Sequence, residues 1–164
     1  MSLYLVFRFL HIASAIALIG GIFARQAVRS LAKQTSDVHR FTALSEGAGR
    51  IESLMIIPGS IAVTLFGVVL ALMTGAPILG FLQGASKNWL LVSNLLLIGN
   101  LWIIRLVFLP RGRKFEQALN IALAEGRMTL ALRGELDDRV VKLAHLYEEV
   151  SVALIVALMV FKPF

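Results

Sequence analysis

Two sets of residues in this chain have types and depths that suit chemistry. The first is His11, Met159, Arg8 and Lys87. Histidine and methionine serve as axial ligands of haem iron, and arginine and lysine hold propionates through charge-assisted hydrogen bonds. The competing readings are plain. His11 is then a hydrogen-bonded interhelical histidine, Met159 fills apolar space, and Arg8 snorkels to the head groups. The second set is Arg105, His145, Glu148 and Glu149. An arginine facing carboxylates at one depth predicts a buried ion pair between Arg105 and Glu148, with His145 and Glu148 sharing a helix face at spacing three. Such a layer either fixes helix register or relays protons.

These depths follow from the elements that must carry the residues. The chain has 164 residues, 58% hydrophobic and 16% charged, with a mean hydropathy of +0.82. A soluble domain of this size cannot hide that much apolar surface. Crossing a bilayer takes about 20 apolar residues in a helix, and four spans are readable, at about 3–23, 55–74, 89–109 and 143–161. The expected fold is all-α: one polytopic domain over 1–164, a four-helix up-down transmembrane bundle. An amphipathic cytoplasmic segment (Phe115, Leu119, Ala122, Leu123) joins the third and fourth spans.

Orientation comes from loop charge. The connection 24–54 holds Arg25, Arg29, Lys33, Arg40 and Arg50. The connection 110–142 holds Arg111, Arg113, Lys114, Arg127, Arg133, Arg139 and Lys142, whereas 75–88 holds only Lys87. The positive-inside rule then puts both termini outside, in a bacterial cytoplasmic membrane. The same bias accounts for the net charge of +6 without nucleic acid. With no basic stretch ahead of its apolar run, the first span is expected to be retained and not cleaved as a signal peptide.

Within the first span, Phe7, His11, Ser14, Leu18, Gly21 and Arg25 form one stripe at spacings of three and four. Ala13, Ala17, Gly21 and Ala24 form a small-residue stripe that suits close helix approach. Ser36 or Asp37 is placed to cap a turn carrying Val38, Phe41 and Leu44, with Gly47 and Gly49 loosening the chain before the second span. Pro58 is expected to kink that span. Gly126 is expected to end the amphipathic segment, and Asp137 or Asp138 to cap the fourth helix. Ser14, Ser60, Thr64, Ser93, Asn94 and Asn100 are expected to bond between helices.

The chain has no cysteine, which excludes disulfides, thiolate metal sites, iron–sulfur clusters and thiol nucleophiles. No two of its three histidines lie at zinc spacing on one helix. The pattern contains no phosphate loop and no catalytic triad.

The opening Leu10-His11-Ile12-Ala13-Ser14-Ala15-Ile16-Ala17-Leu18-Ile19-Gly20-Gly21 resembles the start of small bacterial membrane protein families in which a first-helix histidine precedes a glycine pair. In layout and span length nearly the whole chain resembles a family of uncharacterised predicted integral membrane proteins. At residue level the likeness is carried by His11, Gly20-Gly21, and Lys87 with Trp89. The layout is more distantly similar to HemJ-type protoporphyrinogen oxidases and CopD-type copper proteins. The former likeness implies haem b, with functional roles at His11 and Lys87, although Ser86-Lys87-Asn88 sets Lys87 at the membrane edge. Three functions follow as expectations. The leading one is a membrane scaffold or accessory subunit, partnered by lipid and by another membrane protein or a second copy. The others are a haem-binding redox protein centred on His11, and a proton-coupled transporter using Arg105, His145, Glu148 and Glu149.

Overall fold

A computed structural model describes residues 2–163. The described residues are all-helical, and each of the four expected spans falls within one long helical run, Leu3–Lys33, Val38–Thr74, Trp89–Glu125 and Leu130–Phe161, the last interrupted at Asp137 and Asp138. These runs are 31 to 37 residues long, or about 46–56 Å at 1.5 Å per residue. A hydrocarbon core of about 30 Å takes up little more than half of each run. The remainder is the polar extension that the sequence places in the connections.

In chain order the elements are α1 (Leu3–Lys33), α2 (Val38–Ile51), a π-turn (Glu52–Ile56), α3 (Ile57–Thr74), a 3₁₀ turn (Gly80–Gln83), α4 (Trp89–Ile103), a second π-turn (Ile104–Phe108), α5 (Leu109–Glu125), α6 (Leu130–Leu136) and α7 (Arg139–Phe161). Three of these differ from the sequence reading. Helix α2 runs through Gly47 and Gly49 without a break, because glycine weakens a helix by about 1 kcal/mol and does not forbid it. The amphipathic stretch around Phe115–Leu123 is no separate element: it is α5, continuous with α4 through the second π-turn. Pro58 is accommodated by a π-turn that closes two residues before it, and Pro110 has the same device. Each proline lacks a donor for the carbonyl four residues earlier and would crowd it. That carbonyl belongs to Leu54 or Leu106, inside the respective π-turn, and the wider turn makes the room.

The helix ends follow local chemistry. Gly75 and Gly126 close α3 and α5 in the left-handed region, at φ +64° and +65°. Asp138 caps α7, its side chain accepting from the amides of Val140 and Val141. Thr129 caps α6 in the same way through Leu132.

The chain divides into two compact units. One comprises the stretch up to Thr35 together with Arg40–Ala76; the other comprises Ser36–His39 and the chain from Pro77 onward. In the first, α1 and α3 lie antiparallel. Going down α1, Phe7 meets Phe66 with ring centroids 6.1 Å apart, Leu18 meets Gly59, Gly21 meets Met55 and Ile56, and Arg25 meets Glu52. In the second unit α4 and α7 are antiparallel too. Lys162 Nζ lies 5.3 Å over the Trp89 ring, Asn100 meets Ser151, and Phe108 stacks on His145 at 4.5 Å.

Candidate functional site: polar groups inside the helix pairs

In the first unit Phe7, His11, Leu18, Gly21 and Arg25 of the stripe form the α1 face that meets α3 and the π-turn before it. His11 Nδ1 lies 2.8 Å from the Val63 carbonyl. A carbonyl can only accept, so Nδ1 carries the proton and donates it; in the neutral ring Nε2 then keeps its lone pair. Gly67 is the floor of this arrangement. A Cβ built there would stand 3.1 Å from His11 Cε1 and 3.4 Å from Nδ1, so the ring occupies the space that a side chain would fill. Two turns earlier, a Cβ at Gly59 would lie 3.1 Å from the backbone nitrogen of Leu18. The glycines let the helix backbones approach until His11 reaches a main-chain oxygen.

At the other end of the pair Arg25 is only 2% exposed. Its guanidinium stands 3.5 Å from the Glu52 carboxylate, and Arg29, one turn on, stands 3.9 Å from the same oxygen. Glu52 opens the π-turn, so the charged contact sits where the helix is wound most widely. A buried charge costs several kcal/mol unless paired, which makes this contact a strong constraint on the register of the pair.

In the second unit the Asn100 side-chain amide donates to Ser151 Oγ at 2.7 Å, and that hydroxyl donates to the Glu148 carbonyl at 3.0 Å. His145 Nδ1 lies 3.2 Å from Glu148 Oε2, with both side chains largely buried. The pair in this layer is therefore His145 with Glu148. Arg105 does not join it; its side chain is exposed on the second π-turn. Among the described residues Arg105 forms no ion pair with Glu148: it lies five residues past Asn100, whose side chain meets α7, and five residues are about 140° round a helix. Glu149 is half-buried beside Glu148. Outside the apolar stretch, Arg111 Nε donates to Asp138 Oδ2 at 2.7 Å. That bond holds the Asp138 carboxyl below the usual carboxylate range; partial burial opposes it, and the capped amides of Val140 and Val141 add to it.

The haem set is distributed as follows. His11 is half-buried and Arg8, one turn before it, is exposed; both belong to the first unit. Met159 is half-buried and Lys87 exposed, and both belong to the second. Of the six hydroxyl and amide residues expected between helices, Asn100 makes such a bond. Ser14, Ser60, Thr64 and Ser93 turn back on their own helices, each to a carbonyl three or four residues earlier. Asn94 instead holds the connection between the second and third spans through the Ile78 carbonyl. Short hydroxyl side chains reach the preceding turn more easily than a neighbouring helix.

Sequence reasoning missed Gly59 and Gly67, whose signal was two glycines eight residues apart on one face of an apolar helix. It also missed Tyr147, whose hydroxyl packs against the backbone at Gly99. Among the described residues no group of three or more His, Asp or Glu is placed to hold a metal ion.

No curated protein and no solved structure matches the chain. The family described as "Predicted integral membrane protein (DUF2269)" matches residues 5–163, nearly the full length of four helices long and apolar enough to cross a membrane, and the chain belongs to that family.

Proposed function

We propose that this integral membrane protein is an assembly subunit of the bacterial cytoplasmic membrane, with both termini on the outer side. One observation carries the reading. A polar contact ties the helices together within each pair, Arg25 to Glu52 and Asn100 to Ser151, while of each helix's apolar 18-residue window only 6–17% of the residues are buried within the chain. Ion pairs and amide bonds that fix register make rigid pairs, and rigid pairs with broad apolar flanks suit packing against further helices. The test is photo-crosslinking in native membranes from a benzophenone side chain placed singly at the exposed positions Phe9, Leu65 and Leu95. The reading expects a protein adduct of one size from at least one of these positions; an adduct of twice the chain's mass identifies a second copy. Absence of any protein adduct at all three refutes it.

A second reading rests on a narrower observation. His11 donates from Nδ1 to a backbone carbonyl, the outer hydrogen bond that commonly orients a ligating imidazole, and Nε2 remains available. On this reading His11 is an axial ligand of haem b, with Arg8, one turn before it, as the further contact. Protein purified from haem-replete cells would then show a Soret band that shifts on dithionite reduction and is lost in His11→Ala. Flat spectra from both proteins eliminate it.

A further inference from the structure

Arg105 stands inside the apolar sequence Trp102-Ile103-Ile104-Arg105-Leu106-Val107-Phe108, about 6 Å short of the end of its span by the helical rise. It is exposed, and among the described residues it joins none of the ion pairs. A charge at that depth costs several kcal/mol without a partner. The chain offers none nearby on the same helical run, because no Asp or Glu occurs from Ser53 to Phe115.

The neighbours of Arg105 define a face. Ile98, Trp102 and Leu109, at helical spacing around it, are exposed, Trp102 at 57%. Arg113, one turn past Leu109, is also exposed. An exposed tryptophan, an arginine one turn on and a second arginine two turns further make a stepped ladder running out of the apolar region. Trp102 lies about 10 Å short of the end of the span and offers a flat apolar surface to an acyl chain, and guanidinium pairs with phosphate through two parallel hydrogen bonds. A carboxylate on a partner helix would satisfy one cation. A lipid phosphate lying along the exit path meets both arginines and leaves the acyl chains on Ile98 and Trp102.

We propose that the face Ile98–Trp102–Arg105–Leu109–Arg113 binds the phosphate of an anionic membrane lipid. The ligand chemistry is a phosphodiester with a hydrocarbon chain attached. Trp102 and Trp89 are the two tryptophans, so Trp89→Phe leaves Trp102 as a fluorescent reporter on this face. The protein is reconstituted in brominated phosphatidylcholine, which quenches Trp102, and unbrominated phosphatidylglycerol is titrated in against unbrominated phosphatidylcholine. The expected result is about fivefold preference for phosphatidylglycerol, the contribution of one basic residue near an anionic head group. It falls to no preference in Arg105→Gln, is partly kept in Arg105→Lys, is unchanged in the distant variant Arg133→Gln, and resists millimolar inorganic phosphate. Equal displacement by the two lipids overturns the proposal, as does a preference that survives Arg105→Gln. Loss of the preference on adding inorganic phosphate reassigns the site to free anions. Failure of the brominated lipid to quench Trp102 shows that protein covers the face, which also overturns the proposal.

Discussion

Gly20 and Gly21 are adjacent, and the structure assigns them opposite tolerances. A Cβ at Gly21 would lie 2.9 Å from both Met55 Cβ and Ile56 Cγ1. Carbon atoms rest about 3.5–4.0 Å apart, so the shortfall is roughly 0.6–1 Å, and neither atom is the free end of a flexible chain. Overpacking of this kind costs about 1–3 kcal/mol, while Gly→Ala in a helix returns about 1 kcal/mol. The expected net loss for Gly21→Ala is about 0–2 kcal/mol. At Gly20 the added methyl would meet only Met55 Cε, at 3.9 Å, an ordinary contact, so Gly20→Ala is neutral or slightly stabilising. The two variants should differ by about 2 kcal/mol, or about thirtyfold in the unfolding constant. The assay is SDS-driven unfolding in mixed micelles, followed by far-ultraviolet circular dichroism. Ile56→Ala in the Gly21→Ala background should recover part of the loss, since it removes Cγ1. Met55→Ala should not, since it keeps Cβ. Equal stability of Gly20→Ala and Gly21→Ala would refute the packing argument.

Replacing Asn100 by Leu removes the bond to Ser151 and should cost about 0.6–2 kcal/mol in the same unfolding assay; Asn100→Gln should recover little, because the longer amide overshoots a 2.7 Å contact. Gly67→Leu should displace the His11 ring from the Val63 carbonyl, read as loss of the downfield Nδ1 proton resonance in ¹⁵N-histidine-labelled protein. Asp138 contributes stability above its ordinary carboxylate pKa of 3.8, and that contribution is lost as the pH falls through the lowered folded value. Arg111→Gln should therefore flatten the acid limb of an unfolding titration between about pH 5 and 2, and an unchanged limb would show that the bond is idle. Reporter fusions at each terminus should be active only on the outer side of the membrane; cytoplasmic activity at either end would reverse the orientation drawn from the loop arginines and lysines.

The spans and the contact stripe of α1 were legible in the sequence because both follow from helical periodicity. Phe7, His11, Ser14, Leu18, Gly21 and Arg25 sit at spacings of three and four, and a stripe containing a histidine and an arginine cannot face lipid without cost. The small stripe was less informative. It shares Gly21 with the contact face, and its Ala13, Ala17 and Ala24 are half-buried like Phe7, His11 and Leu18. The Asp138 cap and the Gly126 stop are local chemistry and were readable for that reason. The partner of each polar group was not readable. Arg105 and Glu148 have matching depth and opposite charge, yet depth does not fix the face: Arg105 stands about 140° round the helix from Asn100, whose side chain meets α7. His11 posed a related difficulty. Its partner is the Val63 main chain, which carries no sequence signal except the absent side chain of Gly67.

Both functional readings depend on α1 and α3 forming a fixed antiparallel pair with the His11 stripe turned inward. Since the chain has no cysteine, an introduced pair reports this without background. A Cβ at Gly59 would lie 3.3 Å from Leu18 Cβ, close to the roughly 3.8 Å that a disulfide spans. The measurement is oxidation of Leu18→Cys/Gly59→Cys in native membranes with copper phenanthroline, beside Ile16→Cys/Gly59→Cys, since Ile16 is exposed. A disulfide in the first protein and free thiols in the second is the predicted result. Free thiols in the first, or equal cross-linking in both, would contradict the pairing and every reading built on it.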